Sequence, residues 1–202
     1  VIQYQGQVLT PLPWIKQADE LIQASKKLEP SINKSWRNIF RYTDPDTRMY
    51  NPPPEFKSEI RLQSQYFMLV AYAIENYFKA VLVAENEEQY RQEILHRHTL
   101  GELPKDLKKN GHDLINLISK MKSKLVFTKA EKSLLTRLFR HSVWQGRYPV
   151  PVKADELNNT AGYNGKFDIK TIGLWYADID DLKPLIRRIK TFASAIVLAS
   201  ER

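Results

Sequence analysis

The sequence predicts an all-α protein, and three features carry that prediction. Glycine is scarce, with seven residues in 202. Proline gathers at a few places and so divides the chain into long uninterrupted blocks. Within those blocks apolar residues recur three and four positions apart, the period of one helix face.

The first block opens at Pro13, and Trp14, Ile15, Ala18, Leu21, Ile22, Ser25 and Leu28 follow at helical spacing. Pro30 is expected to end it, because proline disfavours helical geometry in the residue before it. A short second helix is predicted over 32–42, with Trp36, Ile39 and Phe40. Residues 43–54 read as a loop, since Pro52, Pro53 and Pro54 in a row cannot continue a helix.

The strongest element runs from Glu55 to about Asn86, without glycine or proline. Tyr66, Phe67, Val70, Ile74, Tyr77, Phe78 and Val81 make its middle apolar almost all round, the pattern of a helix buried at the centre of a bundle. Residues 87–98 are expected as a polar helix, and 100–110 as a connection broken by Gly101 and Pro104. Helical spacing resumes over 112–121 through Leu114, Ile115, Leu117 and Ile118.

Thr128 followed by Glu131 is a capping-box pattern and places the start of the next helix. That helix is expected to reach about Trp144, with Leu134, Leu135, Leu138, Phe139 and Val143 inward. Gly146 stops it, and residues 147–151 are extended ahead of their prolines. Asn158, Asn159, Gly162, Asn164 and Gly165 mark 152–176 as an irregular insertion with no sheet. The last helix is predicted over 178–200. Asp178, Asp180 and Asp181 crowd its first turn, where the helix dipole favours negative charge, and Pro184 lies near its start.

Composition narrows the chemistry. Cysteine is absent, which excludes disulfides, thiolate zinc sites and cysteine nucleophiles. His96 and His98 stand two apart and point to different sides of a helix, so no metal site is expected. Glycine-rich phosphate loops and dinucleotide fingerprints are missing, and no cofactor is expected. The most apolar run, residues 66–74, is too short to cross a bilayer, so a cytoplasmic location without membrane contact is the expectation. A formal net charge of +8 points to acidic partners, nucleic acid or nucleotide first.

Three segments occur in a recognisable order. Residues 71–82, AYAIENYFKAVL, form a buried helix with Glu75 and Lys79 embedded in it. Gly111-His112-Asp113-Leu114 comes next, and Trp144-Gln145-Gly146-Arg147-Tyr148-Pro149 follows a helix. This order resembles the HEPN domains, helical bundles of prokaryotic defence, toxin–antitoxin and nucleotidyltransferase-associated systems. The resemblance covers roughly 55–200. It implies an antiparallel bundle of four to six helices over 55–202, with residues 1–54 as a helical extension packed on it. It also implies a homodimer, and RNA, a nucleotide or a protein such as an antitoxin or nucleotidyltransferase as partner.

Active HEPN proteins are metal-independent ribonucleases with an Arg and a His separated by four to six residues. Here that spacing is met by Arg91 with His96 and His98, ahead of Gly111 and not in the late helix. In the late helix Arg137 and His141 have three residues between them and share a helix face. The departure favours a binding domain over a nuclease, with the ribonuclease as the alternative. The candidate catalytic residues are His112, His141, Arg137 and Arg147, where histidine moves protons and arginine forks onto a phosphate. The candidate binding residues are Arg140, Tyr148, Lys79 and Glu75. Each also has a structural reading. His112 or Asp113 caps a helix, Tyr148 packs on Trp144, and Arg147 pairs with a carboxylate such as Glu75. Glu75 and Lys79, four apart in an apolar helix, form a structural salt bridge.

Overall fold

The computed structural model describes residues 8–47, 49, 51–56, 62–96, 104, 107, 113–142, 174 and 176–201, with the backbone alone at 95, 96 and 140. Among the described residues the protein is mostly helical and has no strand. The elements are α1 (Pro11–Tyr42), a 3₁₀ turn (Pro54–Phe56), α2 (Gln63–His96), α3 (Leu114–Lys120), α4 (Lys129–Arg140) and α5 (Tyr176–Ser200).

Helix α1 opens on Pro11, where the missing amide would have had no partner anyway. It then runs unbroken through Pro30 to Tyr42, so the two short helices expected here are one of 32 residues. The physical reason is packing. Ala18, Ser25, Ile32, Ser35 and Asn38 form a continuous buried seam on both sides of the proline. Small side chains at positions 18 and 25 let α1 lie close along α2. Lys26 and Pro30 are exposed, so the carbonyl deprived of its donor lies on the watered side. The described part of the loop after α1 is as expected. Asp44 accepts hydrogen bonds from the Asp46 and Thr47 amides, 2.8 Å each, and so shapes the turn.

The second helix begins at Gln63 and not at Glu55, which lies in the 3₁₀ turn behind the prolines. Gln63 anchors the true start. Its Oε1 accepts from Trp36 Nε1 at 2.9 Å, and its Nε2 donates to the Leu174 carbonyl at 2.8 Å. From Tyr66 to Val83 the helix is buried on nearly every side. It touches α1, α3, α4 and α5. Its 63–94 stretch is also long and apolar enough to cross a membrane, contrary to the short run read from sequence. Burial accounts for that: 72% of the apolar window is covered inside the protein, and a helix covered all round needs no polar face. At Asn86 the backbone leaves helical geometry (φ −136°, ψ 27°) and the chain bends. The bend falls where the sequence predicts the core helix to end. Glu85, just before it, accepts from the Lys122 and Ser123 amides at 2.7 Å each, tying α2 to the turn after α3.

Both short helices are capped from sequence. Asp113 accepts from the Ile115 and Asn116 amides and starts α3. Thr128 and Glu131 form the predicted capping box at α4. Leu107 is buried and donates to the Pro104 carbonyl at 2.9 Å, closing the connection before α3. In α5, Pro184 sits eight residues past Tyr176, beyond the first turn, and is exposed, as Pro30 is in α1. The predicted end of the fourth helix near Trp144, the extended 147–151 segment and the 152–176 insertion up to residue 173 lie outside the described residues.

Side-chain bridges give the helix directions. Tyr77 meets Asp19 while Gln63 meets Trp36, so α1 and α2 run in opposite senses. Lys190 meets Asp19 while Lys183 meets Glu29, which opposes α5 to α1. Arg188 meets Glu131 while Arg137 meets Asp178, which opposes α4 to α5. One hydrophobic core joins all five helices. Ala18 and Ile32 of α1 belong to it with Phe78, Leu117, Leu135 and Ile189.

Candidate functional site

The predicted site residues fall into two described groups, and neither faces open solvent. Arg137 lies on α4 and His141 just past its end, four positions on. The Arg137 guanidinium makes a forked pair with Asp178 at the start of α5, at 2.8 and 2.9 Å. Each of these side chains is 12% exposed, so the donors that could hold a phosphate are turned inward onto a carboxylate.

His141 follows α4 in a wider turn and is buried against the Phe67 ring, with centroids 5.3 Å apart. Neither ring nitrogen has a hydrogen-bond partner among the described residues. Burial, then the Arg137 charge, lowers its pKa to about 4, with Asp178 opposing. At neutral pH it is an uncharged imidazole in an apolar setting. Beside it the Tyr72 hydroxyl donates to the Ser142 carbonyl at 2.9 Å and holds the end of α4 to α2.

Glu75 and Lys79 pair at 2.5 Å within α2, with 6% and 9% of their side chains exposed. Trp14 of α1 covers the ammonium, its ring centroid 5.5 Å from Nζ. This is the structural salt bridge the spacing suggests. Arg91 pairs with Glu87 and Glu88 on an exposed surface. Asp113 provides the α3 cap. His112, Arg147, Tyr148, His98 and the side chains of Arg140 and His96 lie outside the described residues.

A concavity lies elsewhere among the described residues. A cleft of about 530 Å³ opens between α1 and α5, with α2 as its floor. Lys26 comes from α1, and Lys183, Arg187 and Lys190 come from α5. The α1 carboxylates in the cleft, Asp19 and Glu29, are both bridged to α5 lysines, at 2.7 Å (Lys190) and 3.7 Å (Lys183). Lys26 and Arg187 make no ion pair among the described residues. Ile22 and Ile186 add apolar wall, and Tyr66 and Tyr77 line the floor.

Tyr77 donates to Asp19 Oδ1 at 2.5 Å. Burial, then the bond to Asp19, raises its pKa, and burial, then the Glu29 and Asp180 charges, raises that of Tyr66. Both are therefore neutral hydroxyl donors. The Lys183 pKa is raised chiefly by its bond to Asp180, 3.0 Å away, so the ammonium stays charged. With Asp180 counted beside Lys183, four cations stand against three carboxylates, each bridged to a lysine, and the cleft suits an anion. No group of three or more potential metal ligands occurs among the described residues.

Sequence reading missed this cleft. Tyr66 and Tyr77 read as core, and Lys183, Arg187 and Lys190 were not singled out. A signal existed in the spacing of four and then three, which places those three cations in one stripe. Only the neighbouring helix turns the stripe into a wall. Comparison with protein-family models, with curated proteins and with solved structures gives no match.

Proposed function

We propose that this chain is a HEPN-like helical binding domain that takes a nucleotide or RNA in the basic cleft between α1 and α5. The observation that carries the reading is the cleft itself: cations from two helices, carboxylates bridged to lysines, and neutral tyrosine hydroxyls on the floor. The opposed directions of α1, α2, α4 and α5 support an antiparallel HEPN-like bundle. A cytoplasmic defence or toxin–antitoxin setting, a homodimer and a protein partner belong to the same proposal through the resemblance.

Binding is preferred over the ribonuclease alternative for a geometric reason. Arg137 is committed to Asp178, and His141 is buried, so this pair lacks the access a scissile phosphate needs.

The test is a labelled RNA pool and a mononucleotide titrated against the protein, Lys26→Glu, Arg187→Glu, His112→Ala and His141→Ala. Binding should weaken about tenfold or more between 50 and 200 mM salt, as expected for a few phosphate contacts. Each charge reversal should weaken it by about tenfold or more, on the order of one charge-assisted contact. Cleavage of the RNA that both histidine variants abolish would replace this reading with the nuclease.

A further inference from the structure

We propose that the α1–α5 cleft seats one small phosphorylated molecule, a phosphate monoester on a short apolar body, and not a continuous strand. The inference rests on the reading of the cleft as an anion site and narrows its occupant. Two bridges close the cleft at its ends. Lys190 crosses to Asp19 at 2.7 Å, on the same oxygen that accepts from Tyr77. At the other end Lys183 crosses toward Glu29 at 3.7 Å and bonds Asp180 at 3.0 Å.

Asp19 and Glu29 are ten residues apart on α1, which sets the bridges about 15 Å apart at 1.5 Å per residue. The volume of the open cleft, about 530 Å³, is that of a small-molecule pocket. A strand would have to enter and leave over the bridged ends. It would break two ion pairs or ride above the floor.

Between the bridges Lys26 and Arg187, one from each wall, line the cleft, and each carries a cation that a phosphate can pair with. Tyr66 supplies the third element. It is 2% exposed and lines the floor. Its neutral hydroxyl, on the floor of the cleft, can donate to a ligand oxygen.

The experiment is calorimetric titration of the full chain with inorganic phosphate, adenosine 5′-monophosphate and a twelve-nucleotide single-stranded RNA. The protein is compared with Arg187→Ala and Tyr66→Phe. The monophosphate should bind one to one, about tenfold tighter than inorganic phosphate, because its body adds apolar contact. Arg187→Ala should weaken it about tenfold or more, on the order of one charge-assisted contact. Tyr66→Phe should weaken it several-fold, and the RNA should bind no tighter than the monophosphate. Arg187 is exposed, so its variant keeps the test valid if Tyr66→Phe disturbs folding. RNA that binds tighter than the monophosphate, and is weakened by Arg187→Ala, would overturn this inference and leave the anion site standing. Monophosphate binding that ignores both variants would overturn the inference too. Failure of all three ligands to bind would remove the anion-site reading with it.

Discussion

His141 is a buried imidazole with no hydrogen-bond partner among the described residues, and that makes it a stability switch. Its folded pKa is about 4, against about 6.5 when exposed. The unfolded chain therefore binds a proton that the folded chain refuses between these values. The contribution is fully present above about pH 6.5 and is lost as pH falls toward 4. The full loss is on the order of 3 kcal/mol. Urea unfolding from pH 7.5 to 4.5 should show that slope, and His141→Leu should flatten it. Glu75 and Lys79 give a second residue-scale prediction. Lys79→Met leaves a buried carboxylate without its cation and should cost about 3–5 kcal/mol, whereas Glu75→Gln with Lys79→Met should recover most of it. Chemical denaturation of the single and double variants decides this. The pairing of Glu75 with Lys79 was legible because both lie on one helix four positions apart. The pairing of Arg137 with Asp178 was not, because 41 residues separate them and only folding brings them together.

At the scale of the helix, caps were legible and prolines misled. Asp113 and Thr128 cap because their side chains reach amides two or three residues on, a purely local event. Asp113→Ala should destabilise by about 1 kcal/mol, seen as a lower unfolding midpoint. Pro30 and Pro184 obey a local rule that packing overrides. Each forfeits a backbone hydrogen bond at an exposed position, while buried residues on either side hold the helix straight through. Pro30→Ala should restore the bond and stabilise the protein by roughly 1–3 kcal/mol, against a smaller loss from the freer unfolded chain. A thermal melt that shows no gain would mean that packing has already absorbed the cost. The start of α2 was misplaced for a related reason. Freedom from glycine and proline permits a helix from Glu55, but the preceding prolines and the Gln63 bridges decide where it begins.

For the whole molecule, the central question is what covers α2. Its apolar circumference requires neighbours on every side, and α1 supplies one of them through Ala18 and Ile32. A chain of residues 55–202 should therefore lose cooperative unfolding and expose the Tyr66–Val83 surface, visible as dye binding and a broadened melt. The 1–54 segment read as an extension shares the core in this respect. The same close approach of α1 to α5 over α2 makes the cleft, whose residues come from three helices distant in sequence.

The sequence by itself determined the all-α class, the buried central helix, the Thr128 capping box and the Glu75–Lys79 pair. All of these depend on neighbours within four residues or on apolar content summed along one element. Tertiary structure decided the rest: the survival of α1 through Pro30, the inward fork of Arg137 onto Asp178, the burial of His141, and the basic cleft. Those outcomes depend on which helix faces which, and that is set by the packing of one core and not by any local rule.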